Sequence, residues 1–311
     1  MCGIAGLIHR GKSSNVGSEM TLMLQALKHR GPDSTGYAVY GEPNAGDYIM
    51  RLKVAEAEDM NRGRGIHQVI VDRIAEVESI LSEHGASVKS KEASTEYSLR
   101  YVLGHNGDMA KMAAHIEETD GVEILSMGSG LELIKDLGDA SDVAGLYGLN
   151  DFNGTHAIGH TRMATESDVD IRSAHPYWAF PYNDVSVVHN GQITNYWIRR
   201  RQMEQKGHRF MSNCDSELLA VYTAHNLSNG MSLEDTLRQS IEDIDGVFTY
   251  LVATKDELGM AKDTMAAKPL VLYESDDMIA MASEEVAIRA ILPQEIDTYD
   301  PYDEEVRVWR A

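Results

Sequence analysis

Two rhythms of apolar residues alternate along this chain, and where each prevails sets out the predicted elements. "CGIAGLIHR" at the start is a short apolar run of strand character, and Ser18 to Lys28, "SEMTLMLQALK", repeats with helical spacing that puts Met20, Met23, Leu24 and Leu27 on one face. The loop "HRGPDSTG" interrupts the pattern with Gly and Pro before "YAVY" resumes as a strand. From Ala157 onward, "AIGHTRMAT" and "VSVVHNG" read as strands, followed by helices over Ile193 to Lys206 and Ser216 to His225. "SLEDTLRQSIEDIDG" is a further helix with Ser232 as N-cap and Asp235 three residues on. "VFTYLVAT", "LGMAKD", "KPLVLYE" and "MIAMASE" are short strands, and Val306 to Trp309 is an edge strand inside an acidic end.

Residues 41 to 155 have a different texture. A basic and polar stretch around Arg51 to Arg64 leads into an amphipathic helix over Ile66 to His84, then "EYSLRYVLGHNG", a short helix near Met109 to Glu118, "EILSMGSG", and another helix from Leu131. The glycines of "SMGSGLELI" precede that last helix in an arrangement that can cradle anions, but no P-loop lysine follows, so a plain helix entrance is expected. No Gly/Ser-rich or Pro-rich linker divides the chain. A single domain over residues 1–311 is expected, with an insertion at about 41–155 and an acidic C-terminal extension at about 295–311.

Composition narrows the function. With 311 residues, 43% of them hydrophobic and 25% charged, the chain can bury a sizeable core. A net charge of −21 excludes recognition of nucleic acid through its phosphates, which takes Lys and Arg. No run approaches a membrane span and no signal sequence opens the chain, so a cytoplasmic location without membrane contact is expected. Free thiols are the default there for the two cysteines, Cys2 and Cys214.

Cys2 has chemistry of its own. Removal of Met1 would leave its thiol beside a free α-amino group, whose pKa of about 7.7 to 8.0 suits a general base. A small residue at the start of a strand is the alternative reading. In "VVHNG", Asn190 and Gly191 can supply paired donors to an oxyanion, or form the turn of a hairpin. Arg162 in "GHTRMAT" offers a planar fork for a carboxylate, or a structural ion pair. Asp215 in "NCDSELLAVY" stands at a helix entrance, where it can cap the helix or meet a substrate ammonium. His156 and His160, four apart on a strand with no third ligand, have a structural role, and no metal is expected.

Together these motifs resemble one family, the class II glutamine amidotransferases, which are cysteine N-terminal nucleophile hydrolases. The correspondence runs in order through "CGIAG", "LKHRGPDSTG", "GHTRMAT", "SAHPY", "VVHNG", "SNCDSE", "LGMAKDTMAAKPL" and "MASEEVAI", nearly everything outside residues 41 to 155. The resemblance implies an α+β fold, a four-layer αββα sandwich. It implies Cys2 as nucleophile and Asn190 with Gly191 as oxyanion hole. Arg162, helped by Thr165, would hold the glutamine α-carboxylate, Asp215 the α-ammonium, and Arg30 with Gly31 would line the site and support the Cys2 loop. No cofactor is implied for this chain.

Relatives of this kind deliver ammonia to a synthase. The sequence has no nucleotide-binding "SGG.DS" loop and no phosphoribosyl-pyrophosphate loop, and it ends soon after "SEEVAI". It looks most like the separate glutaminase subunit of glutamate synthase or N-methylglutamate synthase systems, whose flavin and iron–sulfur clusters lie in other subunits. Two cysteines cannot hold a four-thiolate cluster. Two alternatives remain open: a free-standing N-terminal-cysteine amidase or acylase on another amide, and a catalytically silent regulatory subunit.

Overall fold

The computed structural model describes residues 2–42, 46–56, 59–60, 65–163 and 171–311. Three antiparallel sheets organise it. The largest has six strands in the order β13 (Val271–Glu274), β14 (Met278–Ala282), β1 (Gly3–His9), β8 (His156–Arg162), β2 (Ser34–Tyr40) and β7 (Leu131–Leu137). A five-stranded sheet runs β15 (Val306–Arg310), β12 (Glu257–Lys262), β11 (Gly246–Ala253), β10 (Ser186–Ile193) and β9 (Tyr177–Trp178). The third runs β4 (Ser87–Ala93), β5 (Ser98–Gly104), β3 (Asp47–Lys53) and β6 (Glu123–Gly128).

Alternation along the strands decides the layers. On β1, Ile4 and Ile8 face inward and join Ile158 and Met281 against Val188 and Leu251 of the five-stranded sheet. Ala5 and Leu7 face outward, where α1 (Val16–Ala26), α4 (Ala140–Tyr147) and α8 (Glu285–Arg289) cover them with Met20, Leu24, Val143 and Ile288. The outer face of the second sheet, with Val187, Tyr250 and Val252, is covered by Leu218 and Leu219 of α6 (Asp215–Ser228) and Leu237 of α7 (Leu233–Asp243). Between these, α5 (Tyr196–Gln205) follows β10. The result is the expected four-layer αββα sandwich. α2 (Gly65–Glu83) and α3 (Met109–Ile116) pack with the third sheet, burying Val77, Leu81, Met112 and Ile116.

Ser232 caps α7 as its sequence predicts, its hydroxyl accepting from Asp235 N. The helix expected from Leu131 is instead strand β7, paired along its whole length with β2. The glycines before it lie where the chain passes from β6 in the third sheet to β7 in the first, and the anion they cradle is the protein's own. The buried Asp184 carboxylate accepts from Ser129 N (3.0 Å), Gly130 N (2.9 Å) and Leu131 N (2.9 Å). The stretch around Arg51, read as polar, begins with the buried strand β3. Among the described residues no helix is long and apolar enough to cross a membrane.

Candidate active site

Cys2 stands one residue ahead of β1, half-buried, with Sγ 4.0 Å from the Met163 carbonyl oxygen. Long-range contacts fix it there. Ile4 N donates to Ser283 Oγ (3.0 Å) while Ser283 N donates to Ile4 O (2.9 Å), so the end of β14 clamps the start of β1. The Cys2 carbonyl oxygen accepts from Arg30 Nε (3.0 Å) and from Asn190 Nδ2 (3.1 Å). Arg30 is itself held by Glu284, with Nη1 2.5 Å from Oε1, and His29 contacts the same carboxylate at 3.0 Å. Desolvation pulls the Glu284 pKa upward, but the hydrogen bond from Arg30 and the nearby His29 outweigh it and hold the group below its usual range.

Gly31 acts through its lack of a side chain. A Cβ there would lie 2.4 Å from the Arg162 carbonyl carbon and 2.6 Å from Met163 N. The close approach lets Asp33 N reach Arg162 O at 3.1 Å and fixes the end of β8, from which Arg162 projects.

Asn190 and Gly191 are not a hairpin turn. Both lie within β10, paired with Thr249 and Phe248 of β11. Gly191 has φ +145°, and a Cβ there would meet Val247 O at 2.1 Å, so only glycine fits. Asn190 is buried, and its Nδ2 also donates to Ser283 Oγ (3.2 Å), which directs the amide toward Cys2.

Asp215 does not cap α6; Cys214 occupies the N-cap position, and Asp215 is the first helical residue. Its Oδ2 accepts from Ile193 N (2.8 Å), tying α6 to the end of β10. Burial, and then the Asp215 charge, raise the Cys214 thiol above its ordinary pKa, which makes it the inert cysteine of the pair.

A cavity of about 390 Å³ brings these elements together. Cys2, Arg162, Asn190, Gly191 and Asp215 line it, alongside the buried imidazoles of His160, His175 and His189. It presents a thiol, a guanidinium, a carboxylate and an amide donor to one space. A second cavity of about 140 Å³ also touches Cys2, Asn190 and Gly191, and there Arg30, Lys268 and Pro269 complete the wall. Arg30 therefore borders Cys2 in this second cavity, whereas Arg162 and Asp215 line the first. Thr165 lies outside the described residues, as does Met1.

Sequence reasoning assigned no role to Ser283, Glu284, Lys268, His175 or His189, although all five sit inside or beside the quoted motifs. The contacts that give them a role join residues far apart in the chain, as with the clamp from Ile4 to Ser283.

Comparison with known proteins bears on the same segments. Residues 160–290 match a family model described as a glutamine amidotransferase domain. The chain is 40% identical to a putative glutamine amidotransferase of Methanothermobacter thermautotrophicus, over 99% of both chains. It is 32% identical to the glutamine amidotransferase-like protein GlxB of Rhizobium meliloti, over 91% of this chain and 89% of that one. A solved structure described as the allosteric regulatory enzyme of purine biosynthesis superposes with a TM-score of 0.63 at 18% identity, covering 99% of this chain and 47% of its own. That likeness shows the sandwich. The two full-length relatives show more, and with them this protein belongs to the class II glutamine amidotransferases.

Proposed function

We propose that the chain is the glutaminase subunit of a glutamate synthase-like system, hydrolysing glutamine at Cys2 and passing ammonia to a separate flavin and iron–sulfur synthase subunit. The observation that carries the hydrolytic part is the single cavity of about 390 Å³ that holds the Cys2 thiol with one cation, Arg162, and one anion, Asp215. A free amino acid is a zwitterion with a side chain. Bidentate contact with Arg162 and pairing with Asp215 would fix its two charges and leave the carboxamide beside Cys2.

Once Met1 is removed, the α-amine of Cys2 takes the thiol proton, and the thiolate adds to the glutamine Cδ. The oxyanion forms beside Asn190 and Gly191, which supply donors. The amine then protonates the departing nitrogen, ammonia leaves, and water cleaves the γ-glutamyl thioester to glutamate. The amidotransferase part is supported by the two relatives, described as a glutamine amidotransferase and a glutamine amidotransferase-like protein, which this chain matches across 99% and 89% of their own lengths.

Intact-mass analysis of the purified protein with a glutamine diazoketone tests the reading. The expected result is a chain lacking Met1 that gains one adduct at Cys2 and loses glutamine hydrolysis in step. A processed Cys2→Ala variant that still hydrolyses glutamine would overturn it. Native purification is expected to bring a flavoprotein along, and full ammonia transfer by the chain alone would rule out the subunit role.

A further inference from the structure

Beside the Asp215 carboxylate lies a buried histidine that the proposed chemistry does not use. His189 neighbours Asn190 on β10, but its ring points to the opposite face of the sheet, toward α6. Its Nδ1 is 2.8 Å from Ser216 Oγ and 4.0 Å from Asp215 Oδ1. The two Asp215 oxygens are not equivalent. Oδ2 is committed to Ile193 N at 2.8 Å, whereas Oδ1 has only the longer contacts from Ser216 Oγ (3.4 Å) and Cys214 Sγ (3.8 Å), so Oδ1 is the oxygen more open to a ligand in the cavity, and it is the one His189 faces.

We propose that His189 is a positioning residue of the glutamine site: neutral, it leaves Asp215 to the substrate ammonium, and protonated, it takes that carboxylate itself and closes the ammonium subsite. The inference rests on Asp215 being the ammonium partner. A proton on Nδ1 converts a polar contact into an ion pair with the oxygen the substrate needs, so proton and substrate compete for one acceptor.

The surroundings keep the ring neutral near pH 7. His189 is 2% exposed, and burial is the main cause that lowers its pKa, against the raising effect of Asp215, with Lys268 adding to the lowering. From β8 it meets His160, and from the loop ahead of Pro176 it meets His175, whose ring lies 6.4 Å away; the Arg162 charge acts on those two histidines. His160 and His175, stacked edge to face at 4.1 Å, are themselves held neutral by burial. From β11 the neighbour is the uncharged Phe248. From α6, besides Asp215, comes the uncharged Ser216. Asp215 is thus the one anion facing the ring among the groups named, and one cation, Lys268, opposes it. The Nε2 atom is buried with no hydrogen-bond partner among the described residues, so Nδ1 carries the ring's contacts toward α6.

The experiment compares glutamine with glutaramate, which keeps the carboxamide and the carboxylate but lacks the amine, and follows the ratio of their KM values from about pH 8 down to about pH 4. In the parent protein the ratio is expected to rise on acidification, approaching about tenfold per pH unit below the His189 pKa, with kcat changing alike for both substrates. His189→Asn is expected to flatten the ratio. Ser216→Ala leaves the ring in place, with Asp215 Oδ1 as the nearest partner of Nδ1, and should move the rise to higher pH. That second variant decides the matter even if His189→Asn fails to fold. A rise that persists unchanged in His189→Asn, or does not move in Ser216→Ala, overturns the inference. Failure of the underlying reading would look different: Asp215→Asn near neutral pH would then affect both substrates equally, instead of weakening glutamine alone by about tenfold or more.

Discussion

Gly31 shows how much one missing Cβ can control in this site. Alanine there would put a methyl group 2.4 Å from the backbone of Arg162, and backbone gives way less easily than a flexible side chain. Gly31→Ala should therefore cost about 1–3 kcal/mol of stability through overpacking, and raise KM for glutamine by about tenfold as Arg162 shifts. Gly11→Ala is the control. That glycine has φ +66° with nothing within 4 Å of the added Cβ, so the change should cost on the order of 1 kcal/mol in strain and leave KM alone. Urea denaturation and steady-state kinetics on both variants separate the two effects, and equal KM values would rule out the proposed link from Gly31 to Arg162. The residues that meet around the thiol, Cys2, Arg162, Asn190, Gly191 and Asp215, were legible because each sits in a short local motif. Ser283 and His189 were not given roles, because what they do depends on partners 279 and 27 positions away, a separation that no local pattern encodes.

At the level of elements, β7 shows why periodicity misled. "LELIKDL" carries Glu132, Lys135 and Asp136, and a strand with charges among its apolar residues looks half-exposed or helical. All three are buried, because β7 is flanked by groups that satisfy them. Arg51 of β3 reaches Glu132 at 2.6 Å, and Arg100 of β5 joins at 2.8 Å. Asp136 accepts from Tyr97 Oη (2.7 Å) and Tyr147 Oη (2.8 Å). Desolvation pushes the Glu132 pKa up, yet the two guanidiniums overcome it and the group stays ionised. The third sheet is thus joined to the six-stranded sheet partly through buried charge, a pairing that exists only once both are folded. Glu132→Ala should be strongly destabilising, by about 3–5 kcal/mol, because it strands the buried Arg51 guanidinium and leaves the half-buried Arg100 with only its longer contact to Glu92 at 3.4 Å. Adding Arg51→Met to it should recover part of that loss. Chemical denaturation of the single and double variants checks the ordering, and a double variant less stable than Glu132→Ala would contradict the account.

For the whole molecule, two pH effects oppose each other on acidification. The net charge of −21 means that protonating carboxylates relieves self-repulsion, which favours the folded state. Against this stand buried histidines held neutral by desolvation: His156, pushed down to about 4, His160, pushed down to about 3, and His175, held well below its ordinary value. Their folded pKa values lie below the unfolded value, so the unfolded chain binds protons first. The stability they contribute is complete above the ordinary value of 6.5 and is lost as pH falls toward the folded values. Each proton is worth about 1.4 kcal/mol per pH unit, so three together approach about 4 kcal/mol per unit, against a total of about 5–15 kcal/mol for a typical domain. Relief among surface carboxylates begins only below about pH 4.5 and is screened over about 8 Å at physiological salt, while buried Glu117, pushed up to about 7 by desolvation, gains stability on acidification and offsets about one of the three histidines. The histidines should therefore win between pH 6.5 and about 4.5. The urea midpoint is expected to fall across that window with little dependence on salt. His156→Gln should lower the midpoint at neutral pH, since the Nε2 contact to Thr254 O at 2.8 Å bridges the two facing sheets, yet reduce the slope by the equivalent of one proton. A midpoint that rises on acidification, or that follows ionic strength, would mean that surface repulsion dominates the balance instead.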